Sequence, residues 1–213
     1  HDFINKKYFF FNKSNLIVRP NWVFMNKKII KKSKDQYQNR LISIGRLVEQ
    51  KNYPYIIKSL SNSNYSLDIV GDGEQKEDLI KLAKEYNTNL NLLGNIHNNE
   101  LLDLLPKYKY FILASTFEGN PKVVLESMAA GCIALVSNIP NNEELIIDKV
   151  NGFTFNIFDE DHKEIIRIIE SNSDEANYEK IREKSIEHVN DKYSFEEACS
   201  DEFNDYLMLV NIE

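Results

Sequence analysis

Six short apolar runs recur along this chain, each ending in a glycine or a polar turn, and longer segments of helical character fill the gaps between them. The runs are Leu41–Ile44, Leu67–Val70, Leu90–Leu93, Tyr110–Ala114, Ile133–Val136 and Phe153–Phe155. Each is too short for a helix and suits a buried strand. The intervening segments carry apolar residues at helical spacing, as in Glu77-x-x-Ile80-x-Leu82-Ala83-x-x-Tyr86 and Leu101-Leu102-x-Leu104-Leu105. Strands alternating with helices predict βαβ units, hence an α/β, Rossmann-like, doubly wound parallel sheet with helices on both faces. In such a sheet ligands sit outside the carboxyl ends of the strands. Glycine is scarce, and Gly45, Gly71, Gly94 and Gly119 are expected at that edge, whereas Gly131 and Gly152 are expected as turns elsewhere.

After Phe158 the pattern turns wholly helical and strongly charged, through Asp159–Ser171, Asp174–Asn190 and Ser194–Leu209. Ser194, with Glu197 three residues on, reads as a capping box that opens the last helix. Over 213 residues, 42% are apolar and the net charge is −7. That suffices for a core without staples, and the acidic balance argues against general nucleic-acid binding while leaving room for a local phosphate site. Cys132 and Cys199 lie too far apart for a metal knuckle and suggest no disulfide framework, so a reducing compartment is expected. Cys132 reads as a small buried apolar group, and His162 and His188, in charged helices, as exposed. The aromatic run Tyr8–Phe11 is cut by Asn12, Lys13, Asn15 and Arg19, too soon to span a membrane.

Two segments carry chemistry. In the first, Glu118-Gly119-Asn120-Pro121-Lys122-Val123-Val124-Leu125-Glu126 follows the strand Tyr110–Ala114 after a short loop. Asn120 is expected as N-cap, Pro121 as the first helical residue and Gly131 as the stop. The free N–H groups of Lys122 and Val123 would then face the ligand edge, ready to hold a phosphate. The second segment is Gly45-Arg46-Leu47-Val48-Glu49-Gln50-Lys51-Asn52, where a strand ends and two cations follow. Arg46 as a fork and Lys51 as a point charge suit a diphosphate held without a metal. Each feature also has an ordinary reading: Glu126 as an i,i+4 partner of Lys122, Glu118 as an acid near a helix N-terminus, Arg46 and Lys51 as loop cations, and Gly71-Asp72-Gly73 as a plain turn.

Taken in order, Gly45-Arg46-Leu47…Lys51-Asn52, Gly71-Asp72-Gly73, Gly94 and Glu118-x7-Glu126 resemble the carboxy-terminal half of a GT-B glycosyltransferase, of the retaining family 4 type. The resemblance runs from about Pro20 to Phe155. Asn141–Ile146, Lys149–Phe153 and Tyr193-Ser194-Phe195 fit later parts of the same pattern. It implies that residues 1–20 are a remnant of the N-terminal lobe or a connector. Residues 21–192 would be the nucleotide-sugar-binding domain, and 193–213 a helix crossing toward the missing lobe.

The implied roles are specific. Arg46, Lys51 and Glu118 are the expected catalytic groups, the cations on the donor diphosphate and Glu118 on the transferred sugar. Gly45, His97, Gly119, Asn120, Lys122, Val123 and Glu126 are the expected donor-binding residues, Glu126 accepting from the ribose hydroxyls and the base lying near Gly94–His97. No metal and no cofactor are implied; the nucleotide diphosphate sugar is the donor substrate. The acceptor, a glycan or lipid-linked glycan, would bind the missing lobe. Any membrane contact would also run through that lobe, giving a cytoplasmic chain, peripheral at the inner face at most. The family often has Asn-Gly-Val-Asp at its interdomain connector, where this chain has Asn21-Trp22-Val23-Phe24. Two other readings stay open: a nucleotide-sugar-binding module without activity, and a GT-B-fold epimerase. A NAD-binding domain is disfavoured, because no Gly-x-Gly-x-x-Gly follows Leu41–Ile44.

Overall fold

All six apolar runs become strands: β1 (Tyr37–Ile44), β2 (Ser66–Val70), β3 (Asn89–Gly94), β4 (Tyr108–Leu113), β5 (Ile133–Ser137) and β6 (Gly152–Phe155). The structure is a computed structural model that describes residues 19–25, 37–159 and 161–210. The Tyr8–Phe11 cluster lies outside the described residues, as does most of the expected N-terminal remnant. Every pairing in the sheet is parallel and the order is β3-β2-β1-β4-β5-β6. The intervening helices are α1 (Tyr53–Ser59), α2 (Lys76–Glu85), α3 (Asn98–Leu104), α4 (Lys122–Ala129), the one-turn α5 (Pro140–Glu143) and α6 (Glu164–Ser171). Two longer ones follow, α7 (Glu175–Tyr193) and α8 (Phe195–Val210).

Two apolar layers enclose the sheet. Leu41, Leu67, Ile69, Ile112 and Leu135 face α1, α2 and α6, while Ile42, Val70, Phe111, Leu113 and Val136 face α3 and α4. Helix α7 serves both. Its Tyr178 and Ile181 pack into the first layer and its Val189 into the second. This helix therefore closes the β6 side of the sheet and carries the chain from one face to the other.

Strand β1 starts at Tyr37, earlier than the apolar run announces. Tyr37 pairs with Tyr108 in register, their rings 5.1 Å apart. Arg40 reaches the wholly buried Asp68 at 2.6 Å. Asp68 also accepts from the Tyr108 hydroxyl at 2.5 Å and from Asn91 Nδ2 at 2.7 Å. Burial, reinforced by Asp68, pushes the Tyr108 hydroxyl far above its usual range, so it stays a donor. A carboxylate inside a strand is tolerated here because Arg40, Tyr108 and Asn91 all donate to it.

The carboxyl edge of the sheet is where backbones touch. Gly45 N–H donates to Val70 O at 2.9 Å, Leu47 N–H to Asp72 O at 3.0 Å and Gly71 N–H to Gly94 O at 2.8 Å. A Cβ on Gly71 would stand 2.0 Å from Gly45 O, and one on Gly73 2.5 Å from Leu47 O. The Gly71-Asp72-Gly73 turn is thus a packing device, with Asp72 Oδ1 accepting from Gly73 N–H at 2.9 Å.

At the end of α7 the expected cap is present, Ser194 Oγ accepting from Glu197 N–H at 3.2 Å. Val23 bridges to the same point. It donates to Tyr193 O at 2.9 Å and accepts from Phe195 N–H at 3.0 Å. Trp22 and Phe24 pack against Phe195. His162 and His188 prove half-buried rather than exposed, since each ring packs on a tyrosine, Tyr55 and Tyr193 respectively. Cys132 is buried as expected, its thiol pushed up to about 12 by burial.

Candidate functional site

In this strand order the direction of winding reverses between β1 and β4, so the ligand crevice opens at their carboxyl ends. The chain leaving β1 passes Gly45 and Arg46, makes a single 3-10 turn over Glu49–Lys51 and enters α1 through Asn52 in the left-handed region (φ 49°). That reversal lays the Lys51 stem back over Gly45, where an added Cβ would lie 3.1 Å from Lys51 Cε. Beneath it the Tyr53 hydroxyl donates to Gly45 O at 3.1 Å. Lys51 Nζ then meets Glu118 Oε1, from the loop after β4, at 2.5 Å. The same oxygen accepts from Ser115 Oγ at 2.6 Å. Only 14% of the Lys51 side chain and 9% of Glu118 are exposed, so this pair is shielded from water and salt.

The two loops are laced together. Thr116 N–H donates to Gln50 O at 2.9 Å, and Gln50 Nε2 to Phe117 O at 2.8 Å. Arg46, by contrast, is exposed at the mouth and its guanidinium has no partner among the described residues. The structure therefore brings Lys51 and Glu118 into contact, and Arg46 takes no part in that contact.

The start of α4 differs from expectation. Helical geometry begins at Lys122, and Pro121 (φ −76°, ψ 83°) occupies the N-cap position expected for Asn120, with no side-chain cap. The reason lies in the preceding carbonyls. Asn141 Nδ2 donates to Glu118 O at 2.7 Å and to Gly119 O, while Asn21 Nδ2 donates to Asn120 O at 2.8 Å. With these fixed, the chain cannot turn helical before the proline. The Lys122 N–H closes on Asn120 O at 2.9 Å, so that amide is not available to a ligand. The N–H groups of Gly119, Asn120 and Val123 find no acceptor among the described residues. Of the donor-binding residues expected in this loop, Gly119, Asn120 and Val123 thus keep open amides among the described residues, and Lys122 does not.

Gly119 has neither a left-handed backbone nor any atom within 4 Å of a would-be Cβ. Nothing in the fold requires glycine there. Gly119→Ala is expected to leave the unfolding free energy within about 0.5 kcal/mol of the parent. The same methyl should block whatever the loop amides receive, measured by ligand titration.

Glu126 lies one turn into α4, 16% exposed, with Lys122 Nζ 3.8 Å away. It faces a cavity of about 60 Å³ shared with Val23, Phe24 and Asn98. Burial raises its carboxyl above the usual range, and Lys122 offsets this only in part. Such a group binds its proton more tightly folded than unfolded. Its ionisation therefore costs stability above the folded pKa, and that cost is relieved as pH falls toward the unfolded value. Glu126→Gln should accordingly raise the thermal midpoint at pH 7 and shrink the rise on acidification; a fall at pH 7 would refute this. His97, the residue before α3, is exposed on the outer strand's side of the edge, and its neighbour Asn98, not His97, lines the Glu126 cavity.

Sequence reasoning missed Gln50, Ser115, Tyr53 and Asn141. Gln50 and Ser115 sit within or next to quoted motifs, but their partners are distant in sequence and no local signal marks them. A larger groove, of about 860 Å³, lies between the turn into β2 and α6, at the opposite edge. Its Ser59, Ser61 and Ser63 hydroxyls already donate to backbone carbonyls.

The pattern of the family described as "Glycosyl transferases group 1" matches residues 25–188, most of the chain. The chain belongs to the group 1 glycosyl transferases. Among relatives of this family, an Escherichia coli UDP-Gal:alpha-D-GlcNAc-diphosphoundecaprenol alpha-1,3-galactosyltransferase is 33% identical over 129 residues, covering 55% of this chain and 33% of that one. A capsular polysaccharide biosynthesis glycosyltransferase, CapH of Staphylococcus aureus, is 29% identical over 126 residues, covering 54% and 35%. The chain thus spans about a third of the length of these relatives.

Among solved GT-B glycosyltransferases, S. aureus TarM in a complex that includes UDP superposes with a TM-score of 0.77 at 20% identity, covering 95% of this chain and 41% of that one. The C-terminal domain of the group 1 family protein LpcC from Francisella tularensis gives 0.67 at 19% identity, covering 81% and 99%. The Rossmann-like fold, matching part of these GT-B structures, is as the sequence implied. Among the described residues no helix is long and apolar enough to cross a membrane.

Proposed function

We propose that this chain is the donor-binding half of a retaining glycosyltransferase, which moves a sugar from a nucleotide diphosphate sugar to an acceptor in bacterial-type polysaccharide or glycoconjugate synthesis. The observation that carries this reading is the Lys51–Glu118 pair at the switch point, set beside open loop amides and a glycine the fold does not need. A cation there offsets charge developing on a leaving diphosphate, with Arg46 at the mouth as the second. The amides of Gly119, Asn120 and Val123 take phosphate or sugar oxygens, and Glu118, drawn off Lys51 by the incoming diphosphate, takes a sugar hydroxyl. Glu126 accepts from the ribose, and the base lies toward Gly94–His97.

Glu118 and Glu126 do not act as an acid/base pair: retention follows from front-face attack within an ion-pair-like state, an arrangement different from the two-carboxylate geometry of retaining glycoside hydrolases. The acceptor, a glycan or lipid-linked glycan, binds a second lobe, through which any membrane contact is made from the cytoplasmic side. UDP is the favoured nucleotide, because it is named with both the relative and the TarM structure above.

Thermal shift against UDP, GDP, ADP and their sugar conjugates tests the reading. A ligand that binds only the folded chain adds RT ln(1 + [L]/Kd), about 2.7 kcal/mol at a hundredfold excess over Kd. A shift for one nucleotide series, lost in Arg46→Ala and Glu126→Ala, is the expected result. No shift with any of them would overturn it.

A further inference from the structure

Three consecutive carbonyls in the loop after β4 are held by two asparagine side chains. Asn141 Nδ2 donates to both Glu118 O and Gly119 O, and Asn21 Nδ2 to Asn120 O. Carbonyls only accept, so the Asn141 carboxamide must present its nitrogen, with both hydrogens used. In a trans peptide the C=O and the following N–H point in opposite directions. Fixing the carbonyls of residues 118 and 119 toward Asn141 therefore turns the N–H groups of Gly119 and Asn120 away from it, and both lack acceptors among the described residues.

Asn141 rests on a rigid base. Its neighbour Asn142 is wholly buried and donates to Ser137 O at 2.9 Å, and Ser137 Oγ donates to Ser115 O at 2.6 Å, tying the end of β5 to the end of β4.

We propose that Asn141 is a positioning residue that aims the Gly119 and Asn120 amides at an oxygen of the sugar diphosphate, with Asn21 holding the far end of the same loop. It touches no ligand itself and acts through the two peptide groups. This rests on the donor-binding reading above and adds to it a residue that sets the orientation of its amides.

The test compares the parent chain with Asn141→Ala and with the isosteric Asn141→Asp, which keeps the shape but turns carboxylate oxygens toward the two carbonyls. Each is titrated with the nucleoside, the nucleoside diphosphate and the diphosphate glucose, in uridine, guanosine and adenosine forms. Both variants should lose about tenfold or more in affinity for the diphosphate or its glucose conjugate, and stay within about twofold for the nucleoside. A loss already seen with the diphosphate assigns the amides to phosphate; one confined to the conjugate assigns them to a sugar hydroxyl. Equal losses for all three ligands, or none, would overturn the positioning role.

A ligand-free arm separates this from the functional reading. Backbone order at Gly119 and Asn120, by nitrogen relaxation, should fall from about 0.85 to below about 0.6 in both variants. Unchanged order would overturn the positioning role whether or not the parent binds a nucleotide, whereas failure of the parent to bind any nucleotide overturns only the donor-binding reading.

Discussion

Lys51→Met should cut nucleoside diphosphate affinity by about a hundredfold and, with no ligand present, destabilise the fold by roughly 2 to 3 kcal/mol. Both effects come from one contact. Removing the ammonium strips the crevice of its shielded cation and leaves the Glu118 carboxylate, 9% exposed, with Ser115 as its remaining side-chain donor. Breaking a wholly buried pair costs about 3 to 5 kcal/mol, and the partial exposure of Lys51 brings the figure down. The two effects separate in a double variant. Lys51→Met with Glu118→Gln removes the stranded charge, so stability should return toward that of the parent while diphosphate affinity does not. Urea unfolding and calorimetric titration of the three variants read both quantities. If Lys51→Met unfolds at the same urea concentration as the parent, the pair does not form in solution.

Gly71→Ala should cost more than about 4 kcal/mol, enough to prevent a chain of this size from accumulating in folded form. The added carbon would lie 2.0 Å from Gly45 O, a backbone atom that no side-chain rotation can move, and Gly71 sits at φ +140°. Relief would require separating the ends of β1 and β2, which means giving up Gly45 N–H to Val70 O and Leu47 N–H to Asp72 O. Gly119→Ala is the internal control, since its methyl meets nothing within 4 Å. Equal stability of the two variants would show that the loops do not touch as described.

The sheet was legible because its central strands are largely buried and so appear as short, mainly apolar runs, each closed by a residue suited to a turn. Asp68 is the one charged residue inside these runs, and its partners Arg40, Tyr108 and Asn91 lie on three different strands, which no local pattern records. In the site, Lys51, Glu118 and Glu126 were picked out by residue type and spacing. Their ionic partnership was not, because 67 residues separate Lys51 from Glu118 and only the β1–β4 adjacency joins them. The start of α4 was misread for a related reason. Asn-Pro is a sound local signal for a cap and first turn, but Asn21 and Asn141 hold the carbonyls that decide where the helix begins. Local preference set the candidates, and contacts across the fold chose among them.

The Val23–Ser194 bridge has a consequence for protein engineering. Two hydrogen bonds clasp the start of the sheet-bearing segment to its finish, so everything from residue 23 to residue 194 forms a loop pinched at its neck. A body whose two necks touch can be lifted from one host and sewn into another at a single position, without stretching either join.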